Sequence, residues 1–130
     1  MDAVLEAHFR AEHDADIEAI MRTYADEVEF DLAGNPEGVL RDKAAIRVFY
    51  NILFGDLAEL QAQPIRRLYG NSHVVDESLI SARAIGRPFG LDGQGRRVQF
   101  RLLHVFEFTG GRISRENGWL DMAAILHQLS

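Results

Sequence analysis

His104 is the titratable residue whose neighbours in the sequence most invite chemistry. It interrupts the series Phe100, Leu102, His104, Phe106, Phe108, in which every second position is otherwise apolar. That period of two belongs to a strand with one buried face. An imidazole on such a stripe is either a hydrogen-bonded core residue or an acid/base working near neutral pH. His8, in the N-terminal segment, is the second candidate. Two imidazoles facing one cavity can donate to a developing enolate oxygen or shuttle a proton. The plainer alternative for His8 is a pair with Glu12 at i,i+4 on a solvated helix.

Glu116 and Asn117 lie opposite His104 across a Gly110-Gly111 turn, and one residue of register decides which of them faces it. An inward Glu116 is a buried carboxylate beside an imidazole, with a route to general acid/base work. An outward Glu116 is a surface group flanked by Arg115, and an inward Asn117 orients a carbonyl without moving protons. Glu77 falls between Val75 and Leu79 on one strand face, lining a pocket or edging a dimer surface. Asp121 precedes Met122-Ala123-Ala124-Ile125-Leu126 and reads first as a helix N-cap, worth ~1 kcal/mol by that role alone.

The elements that must position these groups follow from periodicity and turn chemistry. Val4, Leu5, His8 and Phe9, then Ile17, Ile20, Met21 and Tyr24, fit helical spacing on either side of a break at Asp14-Ala15-Asp16, with Asp16 an N-cap. Val28, Phe30 and Leu32 alternate with acidic residues as a first strand, which ends in the loop Gly34–Gly38. Asp42 caps a third helix carrying Ile46, Phe49, Tyr50 and Leu53 on one face. Beyond Gly55 the pattern predicts strands over Leu60–Tyr69 and Val74–Ile85, a Gly/Pro loop, the hairpin around Gly110-Gly111, and a closing helix over Met122–Leu129. Helices first and antiparallel strands afterwards predict a single α+β domain over residues 1–130, its sheet curled around the helices.

Composition excludes several classes of function. A net charge of −6, with no basic stripe, opposes nucleic-acid binding. No cysteine is present, which removes disulfides, thiolate nucleophiles and Cys-type zinc sites. The acidic start is unlike a signal peptide, and no apolar run approaches the ~20 residues of a membrane span, so a cytoplasmic protein without membrane partners is expected. His8 and His13 lack the i,i+4 spacing of a helical zinc pair, and no three ligands cluster in the sequence, so no metal is expected. There is no Gly-x-Ser-x-Gly elbow, and the glycine loop at 90–95 opens no helix, which removes serine nucleophiles and a phosphate cradle.

Two stretches carry a family resemblance. "DIEAIMRTYADEVEF", its Gly/Pro loop and "AAIRVFY" resemble the ketosteroid isomerase segment from second helix to third. "HVFEFTGGRISRENGWLDMAAILHQL" is similar to the closing hairpin and helix of SnoaL-like proteins. The chain thus resembles the superfamily of nuclear transport factor 2, ketosteroid isomerase and the SnoaL-like polyketide cyclases. The resemblance implies a cystatin-like cone, a curved antiparallel sheet wrapped around N-terminal helices with a pocket between them. The isomerase general base falls at Leu32, with Asp31 one residue short, and its two oxyanion donors fall at His8 and His104. The acid of the related epoxide hydrolases falls at Gly118, so neither set of active-site residues is complete.

Two functions follow from these readings. The first is a cofactor-independent isomerase- or cyclase-like enzyme acting on a lipophilic carbonyl compound, with His104, His8, Glu116 and Asp31 as catalytic groups. The expected pocket walls are Tyr24, Phe49, Leu102, Phe106, Asn117, Gly118, Leu120 and Glu77. The second is a non-catalytic ligand-binding or dimerisation domain of the same fold. In either case a homodimer is expected, through the face bearing Arg101, Leu103 and Val105.

Overall fold

A computed structural model describes residues 1–130. Helices α1 (Asp2–His13) and α2 (Ile17–Thr23) lead into strand β1 (Tyr24–Leu32), followed by helix α3 (Lys43–Asp56). Strands β2 (Leu57–Tyr69), β3 (His73–Ala84), β4 (Arg96–Thr109) and β5 (Arg112–Leu120) follow, and helix α4 (Met122–Leu129) closes the chain. The three expected caps are present: Asp16, Asp42 and Asp121 accept from the amides of Ala19, Ala44 and Ala124 at 3.0, 2.9 and 3.2 Å. Each satisfies a helix-start N–H that has no partner within its helix. Strand β2 begins at Leu57, three residues before the expected Leu60, because α3 runs straight into it.

The five strands form one sheet in the order β1-β5-β4-β3-β2. Neighbours run antiparallel except β1, which lies parallel to β5, so the sheet is mixed where four antiparallel strands carry the expected pattern. Helix α3 joins the two sheet edges, carrying the chain from β1 on one side to β2 on the other. Bulges bend the sheet: β2 shifts register after Ala58 and again after Pro64, and Glu59 adopts φ 55°. Such extra residues increase local twist and curl a sheet toward one face. The chain therefore forms the α+β cone, with its helices in the concavity.

Two apolar clusters fill that concavity. One gathers Leu5, Ile20, Tyr24, Phe106 and Ile113 beneath the N-terminal helices; the other gathers Leu57, Ile80, Val98, Phe100 and Ile125 near α4. Alternation along β3 turns Val74, Asp76, Ser78 and Ile80 inward. Asp76 is fully buried and accepts from Ser78 Oγ and Arg67 Nε, both at 2.6 Å. Arg67 also donates to Asp2 at 3.2 Å, tying the start of α1 to the sheet. Hydrogen bonds to charged groups contribute about 1.5–3 kcal/mol. Asp76→Ala is therefore expected to lower the unfolding free energy by about 2–3 kcal/mol, read by urea denaturation; a change within 0.5 kcal/mol contradicts this role for Asp76.

Candidate functional site

Leu5, His8 and Ala11 recur at the three-residue step of one helix face and are buried against the sheet. Glu12 follows His8 by one turn. Across the concavity, β5 carries a bulge. Glu107 pairs with Arg115 but Phe108 pairs with Ile113, which leaves Ser114 as the extra residue. Ile113 and Glu116 are both buried although three residues apart. The bulge thus resolves the register: Glu116 faces inward opposite Phe106, and Asn117 faces outward.

Glu116 meets three donors. Its Oε1 accepts from Tyr24 OH at 2.7 Å and lies 3.3 Å from His8 Nε2, while Oε2 lies 3.3 Å from His104 Nε2. His8 Nε2 also lies 3.0 Å from Glu12 Oε1. The positions of the protons follow by elimination. Thr23 Oγ1 spends its single proton on the Ile20 carbonyl at 2.6 Å, so it accepts from His8 Nδ1 at 3.0 Å. His8 Nε2 faces only carboxylate oxygens and must donate as well, which makes His8 an imidazolium. Tyr24 OH already donates to Glu116, so Tyr50 OH donates to Tyr24 OH at 3.2 Å.

The electrostatics agree with this assignment. Burial alone would push the His8 pKa down, but the charges of Glu116 and Glu12 overcome it and raise it to about 10. Burial would likewise raise the Glu116 carboxyl; the His8 charge and hydrogen bonds from both imidazoles instead hold it well below the carboxylate range. Burial, with Glu116 nearby, pushes the Tyr24 and Tyr50 phenols well above their ordinary value, so both remain donors. His104 differs from His8. Its Nε2 serves Glu116, and its buried Nδ1 has no partner.

His104, Glu116 and Glu12 line a cavity at the seam of the two apolar clusters. Its volume is about 60 Å³, and 12 of its 17 lining residues are hydrophobic. That is room for roughly two waters, so a larger molecule must displace wall side chains. The titratable groups at the wall are Glu12, Asp31, Tyr50, Glu116 and His104, with no lysine or arginine. The site offers acceptors, and its donors are spent within the cluster, His104 on Glu116 and Tyr50 on Tyr24.

The expected residues divide as follows. His8, His104 and Glu116 converge, with His8 set behind Glu116 and outside the cavity wall. Phe49, Leu102, Gly118 and Leu120 line the cavity. A Cβ on Gly118 would sit 3.2 Å from Leu32 and 3.5 Å from the His104 ring, so glycine keeps that corner open. Tyr24 and Phe106 are fully buried behind the site and do not line this cavity. Asp31 borders the cavity, but its carboxylate bonds Arg115 at 2.7 Å, away from His104. Leu32 takes the inward position instead, because alternation in β1 places Phe30 and Leu32 beside Glu116 and Gly118. Asn117 donates to the Asp31 carbonyl at 2.9 Å from the outer side. Glu77 is also outward, 3.7 Å from Arg101, since β3 buries its even-numbered positions. Asp121 is the helix cap.

Glu12, Thr23 and Tyr50 belong to the site and are absent from the expected set. For Glu12 the signal was present: its i,i+4 pairing with His8 was legible, but not the burial that turns a surface pair into part of a cavity wall.

The coupled charges set a pH dependence for stability. Glu116 has a lowered pKa, so its contribution is present above its ordinary value of 4.5 and lost as pH falls below it. His8 has a raised pKa, so its contribution is complete below 6.5 and lost as pH rises toward about 10. The urea midpoint is expected to be highest near pH 4.5–6.5 as far as this cluster governs it, and Glu116→Gln should flatten both limbs. Unchanged limbs in that variant would contradict the proton assignment.

Comparison with known proteins places this geometry in a family. The sequence profile of the SnoaL-like domain matches residues 5–116. No curated protein matches the sequence. Among solved structures, TsrD from Streptomyces laurentii superposes with a TM-score of 0.86 at 19% identity, covering 99% of this chain and 93% of its own. A SnoaL-like polyketide cyclase from Agrobacterium tumefaciens superposes at 0.80 with 21% identity, covering 99% and 97%. An LEH-like epoxide hydrolase from M. tuberculosis superposes with a TM-score of 0.75 at 20% identity, covering 98% of this chain and 86% of its own. At these identities the superpositions establish the cone fold. The profile match spans most of the sequence, and the chain belongs to the SnoaL-like domain family.

Proposed function

We propose that this chain takes a lipophilic carbonyl compound into the cavity and moves a proton on it with His104. One observation carries the reading: His104 lines the cavity, gives Nε2–H to the buried Glu116 carboxylate, and keeps an unpartnered Nδ1. A carboxylate on one ring nitrogen fixes the tautomer and leaves the other as the basic atom. His104 is then the general base, and Glu116, too stable as an anion to take protons itself, is a positioning residue. His8 and Tyr24 hold that anion in place. The proton step needs no organic cofactor. The solved polyketide cyclase and epoxide hydrolase of the same fold support an enzymatic use of such a cavity.

A second reading, binding without turnover, is favoured by the lack of a free donor for an enolate oxygen, since the imidazole and phenol protons at the wall are taken up by Glu116 and Tyr24. α-Proton exchange in D2O with a panel of lipophilic ketones separates the two. Wild type is expected to exchange, and His104→Gln to slow exchange by about 100-fold or more. Gly118→Val fills the corner beside Leu32 and should weaken ketone binding about tenfold with the fold intact. Binding without exchange in wild type leaves the binding reading and removes the catalytic one; no binding removes both.

We further propose that two copies pair through the convex face of the sheet. Leu103 and Trp119 are cross-strand partners there, 39% and 44% exposed. Paired exposed apolar side chains on a sheet face are the expected core of such a contact. Sedimentation should report a dimer for wild type and a monomer for Trp119→Glu; a wild-type monomer overturns the pairing.

A further inference from the structure

We propose that His8, Glu12 and Glu116 form a binding site for a divalent transition-metal ion beside the cavity. Their ligand atoms, His8 Nε2, Glu12 Oε1 and Glu116 Oε1, all lie within 4.8 Å of one another. Nε2 is 3.0 Å from the first oxygen and 3.3 Å from the second. Two ligand atoms each about 2.1 Å from a common ion, and about 90–105° apart, are separated by about that much. His8 and Glu12 come from successive turns of one helix, and Glu116 comes from the facing strand.

An independent observation points to a ligand here. His8 Nε2 is fully buried and Glu12 Oε1 lies within the same burial, yet neither has an aligned hydrogen bond. One N–H cannot point along both carboxylates at once. Buried polar atoms left in this state are rare and call for a specific account. An ion among the three atoms would satisfy each of them, replacing the Nε2 proton and balancing two carboxylate charges in a place where net charge is costly.

The surroundings are those of a supported site. Thr23 accepts from His8 Nδ1, the outer hydrogen bond that fixes the tautomer presenting Nε2 to a metal. His104 and Tyr24 hold the Glu116 carboxylate from two other directions. One imidazole with two carboxylates, and no sulfur, suits Zn²⁺ or Mn²⁺. Glu12 and Glu116 both belong to the cavity wall, so the site borders the cavity. An ion there would give a carbonyl oxygen in the cavity the positive partner that the side chains, spent within the cluster, do not provide. The ion site itself does not depend on the carbonyl reading, since it requires only the three ligands.

The test uses the full chain, stripped with EDTA and dialysed against micromolar ZnCl2 or MnCl2. One ion retained per chain is expected, with an unfolding midpoint raised by about 5 °C or more. Glu12→Gln should weaken retention about 100-fold and abolish the shift, whereas His127→Gln, on the exposed face of α4, should keep both. Mn²⁺ added to wild type should broaden the imidazole resonances of His8 and His104 and spare His127, a readout that needs no variant to fold. No retained ion in wild type, equal retention in Glu12→Gln, or broadening confined to exposed histidines overturns the site. Ketone binding by the stripped protein is measured in parallel; if it persists while ion retention fails, only the metal site falls.

Discussion

The structure depends on one anion. Glu116 lies buried on the inner face of the sheet, and an isolated carboxylate there would be prohibitively costly. Two imidazoles and a phenol make it tolerable, and each comes from a different element: His8 from α1, Tyr24 from the start of β1, His104 from β4. Satisfying this group therefore fixes how the N-terminal helix, the edge strand and the central hairpin sit together. A hydrophobic core fixes which face of each strand turns inward. A carboxylate that needs three donors also fixes where the elements carrying them sit.

The same arrangement gives the cavity its polarity. In the isomerase-like relatives that the sequence resembles, the corresponding positions act as donors toward a substrate. Here the donors turn to Glu116, and the wall facing the cavity presents acceptors. Proton abstraction by His104 and coordination of a cation are both consistent with that polarity. Stabilisation of an enolate oxygen by side chains alone is not, because no free N–H or O–H remains for it.

Much of this was legible from residue order. Alternation in Phe100–Phe108 located the inner face of β4, and Asp16, Asp42 and Asp121 marked the helix starts because capping is local chemistry. What the sequence left open depended on register. Glu116 and Asn117 could exchange faces, and a single unpaired residue, Ser114, settled the matter. Of the two places the sequence allowed Glu77, the pocket wall failed for a related reason. In β3 both faces carry polar and apolar side chains, so Val75-Glu77-Leu79 reads as plausibly inward as Val74-Asp76-Ser78, and only pairing with β4 separates them. Glu12 was seen as a surface partner because burial of a helix face depends on what packs over it. The parallel placement of β1 is likewise a long-range fact, set by where α3 carries the chain.

The contact between Tyr24 and Glu116 joins residues 92 apart in the chain. Hairpins β2–β3 and β3–β4 can form from neighbouring sequence, but this contact requires a large loop to close first, the slow kind of step in folding. Until it closes, Glu116 has hydration to lose and incomplete partners to gain, so a half-assembled concavity is penalised where a purely apolar one would be rewarded. Compact states that bury the carboxylate without the N-terminal segment are therefore raised in energy, because they lack the His8 and Tyr24 donors that it has in the folded chain.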